Sequence, residues 1–275
     1  MRTISALAVG AAAALVAGAF AIPSMAQVGP VSSTPPPAGL KPGTGAPFPK
    51  GHYAALDRLP DWGGIWLLSF NRPPGTGGPP PPAPAPPLKG KYLEAYNAWK
   101  KAIRDNSGVV KATTSHCTPP GMPAIMSMFQ YPYEFLITPG RVTINQEAWM
   151  QTRHIWTDGR PHADDPDPTF MGDSVGHWDG DTLVADTIAI KDSVPLGTGM
   201  GHSDKLHVSE RIHLKKGEPD TLVDEVTVED PEALEHPYTT TVTYHRDRYG
   251  ALLEFECAEN DRNPVDDTGQ TKFEQ

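Results

Sequence analysis

The chain has 275 residues, a formal charge of −10, 31 prolines and 26 glycines. No basic block occurs along it, which argues against nucleic acid as a partner, because neutralising phosphates takes clustered Lys and Arg. Its two cysteines, Cys117 and Cys257, contain no C-x-x-C spacing, so they read as one disulfide of an exported chain before a metal or redox pair.

Arg2 precedes an uncharged, Ala/Val/Leu-rich run over residues 4–22, and Ser24-Met25-Ala26 carries the small-x-small pattern of a signal peptidase site. The expectation is a signal peptide over 1–26, cut after Ala26, and a periplasmic or secreted mature protein. A retained membrane helix is the alternative; the run is weakly apolar, and Pro23 follows it directly. No later stretch is apolar enough to span a bilayer, so no membrane partner is expected once the signal is cut. Residues 27–60 form a Pro/Gly-rich tether. The barrel-forming domain is placed at 61–260, with a polyproline-like spacer at 73–87 and a polar tail at 261–275. A disulfide between Cys117 and Cys257 would close a loop of about 140 residues, worth on the order of 4–5 kcal/mol.

An opening strand is predicted over 61–70. Tyr92, Tyr96, Trp99 and Ile103 recur at helical spacing and predict one amphipathic helix over 89–106, its aromatic stripe a packing face. Further along, strand-like runs alternate with turn signals. Residues 133–138 meet 141–148 across Pro139-Gly140, and 149–157 end at Asp158-Gly159. Residues 174–178 meet 182–190 across Asp179-Gly180-Asp181. Residues 205–214 meet 221–228, and 239–246 meet 251–257. This succession predicts a mainly β fold, an antiparallel meander closed into a barrel or folded as a sandwich.

Alternation sorts side chains by face. Glu210 falls among Leu206, Val208, Ile212 and Leu214, while His207, Ser209, Arg211 and His213 share the opposite face. Asp186 is expected to share an inward face with Val184, Ile188 and Ile190. An inward carboxylate must be paired, hydrogen-bonded or protonated, and burial raises its pKa toward a range useful in acid–base work. Glu210 is therefore either a catalytic group or half of a structural ion pair with Arg153 or Arg211. His154, His162, His202, His207 and His213 are dense here, but no H-E-x-x-H or H-x-H pattern is present. His207 and His213 stand roughly 20 Å apart along one strand. No metal site is expected. The turn containing Asp158, Gly159, Arg160 and His162 offers either substrate contacts or an Asx-type cap. Gly197-Thr198-Gly199-Met200-Gly201 lacks the strand-then-helix setting of a nucleotide loop.

Several motifs together resemble a large family of exported bacterial β-rich proteins common in sphingomonad-type and soil bacteria. They are Cys117-Thr118-Pro119-Pro120-Gly121-Met122-Pro123, Tyr133-Glu134-Phe135, Thr157-Asp158-Gly159-Arg160-Pro161-His162, Gly172-Asp173-Ser174-Val175-Gly176-His177-Trp178-Asp179-Gly180-Asp181, His202-Ser203, Leu206-His207 and Glu210-Arg211. Gly64-Ile65-Trp66 resembles the G-x-W of lipocalin-like barrels. The resemblance spans about Trp62 to Asn260; it departs at Ala163, where a Pro or similar residue is expected after His162. It implies a lipocalin-like barrel and, for activity, a cofactor-independent lyase of lignin-derived aromatic dimers that releases formaldehyde from a hydroxymethyl side chain. On that reading Glu210 or His207 accepts a proton, while His202, Arg211 and Arg160 position substrate or stabilise charge. Tyr133, Trp149, Trp156 and Trp178 offer aromatic surface, and Arg153, Asp158 and His162 polar contacts. The partner expected is a small aromatic molecule, and no cofactor is expected. A periplasmic lipocalin-like carrier of a hydrophobic or aromatic ligand is the second reading.

Overall fold

The computed structural model describes residues 53–69, 85–105, 118–128 and 131–255. The signal segment, both cysteines and the polar tail lie outside the described residues. The last part of the assigned tether forms a 3-10 turn, Tyr53–Arg58.

Nine strands close into a barrel in sequence order. They are β1 (Ile65–Leu68), β2 (Tyr133–Thr138), β3 (Arg141–Gln146), β4 (Gln151–Trp156), β5 (Asp173–Asp179), β6 (Thr182–Ile188), β7 (His207–Lys215), β8 (Glu218–Glu229) and β9 (Tyr238–Asp247). The fold is a mainly β, lipocalin-like barrel, and two details of the meander differ from expectation. First, β4 and β5 pair in parallel, Ile155 opposite Ser174, because residues 157–172 carry the chain back before β5 begins. Second, residues 251–255 form no strand; β9 instead pairs with β1, Trp66 opposite Arg246, and this closes the barrel. Leu253 is 68% exposed, while Phe255 packs on Tyr131 and Trp149 instead of pairing with β9.

Period-2 alternation decides what fills the interior. Phe135, Val142, Ile144, Ile155, Leu183, Ala185, Val208, Ile212, Leu222, Val226 and Tyr244 point inward and are buried. Trp62 and Trp66 fill one end, where Trp62 meets Phe135 edge-on at 5.7 Å and Trp178 at 5.2 Å between ring centroids. There the Arg246 guanidinium lies 4.6 Å above the Trp66 ring and donates to the carbonyls of Asp61, Gly63 and Pro219. The opening segment is thereby tied to the last strand. Gly176 is needed on β5, since a Cβ there would come within 2.6 Å of the Val184 carbonyl oxygen.

The other end is capped by the 3-10 turn Ala124–Ser127, whose Ile125 and Met126 are buried. The Tyr133 hydroxyl donates to the Ile125 carbonyl at 2.7 Å and accepts from the Met128 N–H at 2.8 Å. Tyr244 donates to the Met126 carbonyl. The helix expected over 89–106 is α1 (Gly90–Asp105). Its Tyr92 and Tyr96 pack against the core, and Trp99 lies so close to Gly199 that a Cβ would sit 2.3 Å from the ring. The stripe is a packing face.

Candidate active site in the barrel interior

Within this apolar interior lies one polar layer. Arg153 on β4 is 2% exposed, Glu210 on β7 and Asp224 on β8 are 0% exposed, and such charge survives burial only when paired. Arg153 meets Glu210 through both carboxylate oxygens: Nη1 donates to Oε1 at 2.8 Å and Nη2 to Oε2. Nη2 also donates to Thr187 Oγ1 at 2.9 Å, Nε to Ser174 Oγ at 3.3 Å, and the two hydroxyls bond each other at 2.9 Å. Asp224 receives none of these donors. Neither of its oxygens has a donor, but the carboxyl is within hydrogen-bonding reach of Glu210. Two carboxyls in contact attract only with a proton between them. Burial first, and then the Glu210 charge, push Asp224 well above the carboxylate range, outweighing the pull of Arg153. Tyr244 is likewise driven up by burial and by Asp224, and Tyr133 by burial. The layer thus holds an acid that keeps its proton where exposed carboxyls have lost theirs, beside a guanidinium-clamped carboxylate.

At the capped end, Ile125, Met126, Tyr133, Ile144, Gln146, Gln151, Arg153 and Met171 line a half-open cavity of about 10 Å³, room for about one water. Gln146 is 3% exposed, and neither end of its amide is hydrogen-bonded. The rim beside it is the β3–β4 turn. Trp149 and Met150 both adopt positive φ there, 56° and 48°, a strained conformation for side chains of their size. Trp149 packs against Tyr131 and Phe255 at 6.2 and 5.6 Å between centroids. Its indole N–H is buried without a partner.

A second network lies on the outer wall. Asp186, expected inward, faces out, with Leu183, Ala185 and Thr187 inward in its stead. Its apolar face-mates Val184 and Ile188 are half-buried on the same outer face, and Ile190 is buried only because Ala189, at φ 53°, ends the alternation before it. Asp186 bridges two imidazoles. His207 Nε2 contacts its Oδ1, and His162 Nε2 lies 3.5 Å from its Oδ2. The far nitrogens reach Glu229 at 3.0 Å and Asp173 at 3.0 Å. Partial burial opposes a charge on His207, but the hydrogen bonds and charges of Glu229 and Asp186 prevail and raise its pKa.

The residues singled out from sequence therefore fall into separate places. Glu210, Arg153 and Tyr133 meet in the interior, and Trp149 stands at the rim. Trp178 is inside at the opposite end, against Trp62. His207 and Arg211 lie on the outer face of the strand that sends Glu210 inward, so they cannot share its site; Arg211 pairs with Asp179 at 3.0 Å. Trp156 is also outside, under the Arg160 guanidinium at 4.0 Å. Arg160 is itself held by Asp158 through Nε and Nη2, at 2.9 and 2.7 Å. His202 is 4% exposed in the β6–β7 connection and bonds the Ser203 carbonyl at 2.7 Å. Asp224 and Gln146 were missed. The signal was present: Leu222-x-Asp224-x-Val226 and Val142-x-Ile144-x-Gln146 place polar groups on apolar faces, the same rule that singles out Glu210. Among the described residues, no group of His, Cys, Asp and Glu has the arrangement of a metal site. No family model matches the chain, and neither does any curated protein.

Proposed function

We propose that the chain is an exported, cofactor-independent lyase that acts by acid–base chemistry on a lignin-derived aromatic molecule and releases formaldehyde. The observation that carries the acid–base part is Asp224: a fully buried carboxyl within reach of a carboxylate clamped by Arg153, its proton affinity pushed well up by burial and by the Glu210 charge. Groups whose environments push their proton affinities apart are what such chemistry needs. On this reading the hydroxyl of a hydroxymethyl arm takes the water-sized space beside Gln146 while the rest of the substrate stays at the rim by Met126 and Met171. Glu210 accepts the hydroxyl proton as the carbon–carbon bond breaks. The electron pair of that bond forms the stilbene double bond as the hydroxyl on the adjacent carbon departs as water, protonated by Asp224 and steadied by Arg153, and formaldehyde leaves. The proton taken up by Glu210 then returns to Asp224. The specific reaction rests on the motif resemblance; the aromatic rim would serve carriage of the same ligand equally well.

Formaldehyde release and stilbene absorbance, measured with a hydroxymethyl-bearing lignin-type dimer, separate the two. Turnover by the wild type, lost by about 10²-fold or more in Glu210→Gln and in Asp224→Asn while both variants stay folded, supports the enzyme. Quenching of tryptophan fluorescence by the dimer without turnover supports the carrier. Full activity in Glu210→Gln removes that residue from catalysis.

A further inference from the structure

The cavity at the capped end combines two features that limit what it can hold. The one charged residue that lines it, Arg153, is already compensated by the buried Glu210 carboxylate. Arg153 spends four of its five N–H groups, two on Glu210, one on Thr187 and one on Ser174. An entering carboxylate would thus give up its hydration and meet no uncompensated cation, a combination that low-dielectric surroundings penalise heavily. Meanwhile the Gln146 amide is buried with no hydrogen bond made at either end, its N–H having only the Tyr133 oxygen within reach. The neighbouring Tyr133 hydroxyl donates its only proton to Ile125, so it cannot satisfy the amide oxygen. Buried polar groups left unmade are costly, and the remaining lining at Ile125, Met126, Ile144 and Met171 is apolar.

We infer that this cavity selects an uncharged hydroxyl-type group, which donates and accepts at once, and rejects carboxylates, with Gln146 as the residue that reads it. This rests on the reading above that substrate enters at the capped end. It adds the substrate class: neutral alcohols or phenols on an apolar body, not aromatic acids. Gln146 is a specificity-determining residue, and Glu210 contributes by cancelling the charge of Arg153.

The test uses benzyl alcohol and benzoate, of similar shape and different charge, titrated into wild-type protein at neutral pH. The methyl NMR signals of Met126 and Met171, which line the cavity, report occupancy. The expected result is that benzyl alcohol shifts both methyls with a Kd at least about tenfold below that of benzoate. Gln146→Met should erase most of that advantage by weakening the alcohol alone. Benzoate binding as well as the alcohol at the same methyls would overturn the selectivity and leave the site standing. An advantage that persists in Gln146→Met would overturn the role of Gln146. If neither probe moves either methyl, the capped end is not the entry site, and this inference falls with that reading. Should Gln146→Met not fold, the wild-type comparison still decides the question of charge.

Discussion

The interior and the outer wall of this barrel carry networks built from the same chemistry, carboxylates bridged by cationic or protonatable groups, and the two behave in opposite ways. Inside, Arg153, Glu210 and Asp224 are sealed from water, so every charge must be cancelled locally and the surplus carboxyl keeps a proton. Outside, Asp173, His162, Asp186, His207 and Glu229 form a longer chain, yet Asp186 and Glu229 are 43% and 46% exposed in their side chains. Water and salt screen the Asp186–His207–Glu229 end of that chain. Environment, more than residue type, decides which network can hold a proton in reserve for chemistry. For that reason the proposed reaction is assigned to the interior despite the greater number of histidines outside.

The contrast breaks most visibly at Arg153. Replacing it with Met removes the partner of a buried carboxylate, and such losses cost about 3–5 kcal/mol. Arg153→Met should show this loss in urea unfolding at pH 7. A deficit under about 1 kcal/mol at pH 7 would mean that the interior is wetter than its burial implies.

Much of this arrangement was legible in the sequence, and what was not has physical causes. Strand β2 matches its predicted bounds because Tyr133, Phe135 and Ile137 alternate cleanly and Pro139-Gly140 ends the run. Glu210 was placed inward because four apolar neighbours share its face, and the same pattern at Leu222, Asp224 and Val226 went unread. Asp186 differs from expectation because Val184 and Ile188 are apolar residues half-buried on the outer wall, and because left-handed Ala189 resets the alternation before the buried Ile190, a reversal with no side-chain signature. Closure by β1 against β9 depends on long-range pairing of Trp66 with Arg246, which local periodicity does not encode. The imidazole chain on the outer wall was invisible for the same reason: His207 meets Asp186 and Glu229 only through strand register.

Asp224→Asn sharpens the comparison from within. A carboxyl whose pKa is raised by folding holds more protons folded than unfolded. Its contribution is therefore full below the unfolded value near 3.8 and is lost as pH rises toward the folded value. The amide cannot titrate. The variant should unfold within about 1 kcal/mol of wild type at pH 4 and lose less stability than wild type as pH is raised, a difference visible in thermal melts taken across pH. Parallel curves for the two proteins would show that Asp224 carries no buried proton.

The smallest effect belongs to the outer chain. Folding raises the pKa of His207 above 6.5, so its stabilising contribution is present below that pH and disappears as pH climbs through the folded value. His207→Gln should be less stable than wild type near pH 6 by under about 1 kcal/mol, the scale of exposed ion pairs. The two proteins should converge at higher pH, once the wild-type imidazole has lost its proton. Raising salt from 0.15 to about 1 M should also narrow the gap at pH 6, because screening at that strength acts within a few ångströms. The deficit of Arg153→Met, shielded by the barrel wall, should respond far less to the same salt. If both variants respond to salt alike, the interior network is in contact with solvent, and its carboxyls lose the dryness that lets one of them keep a proton.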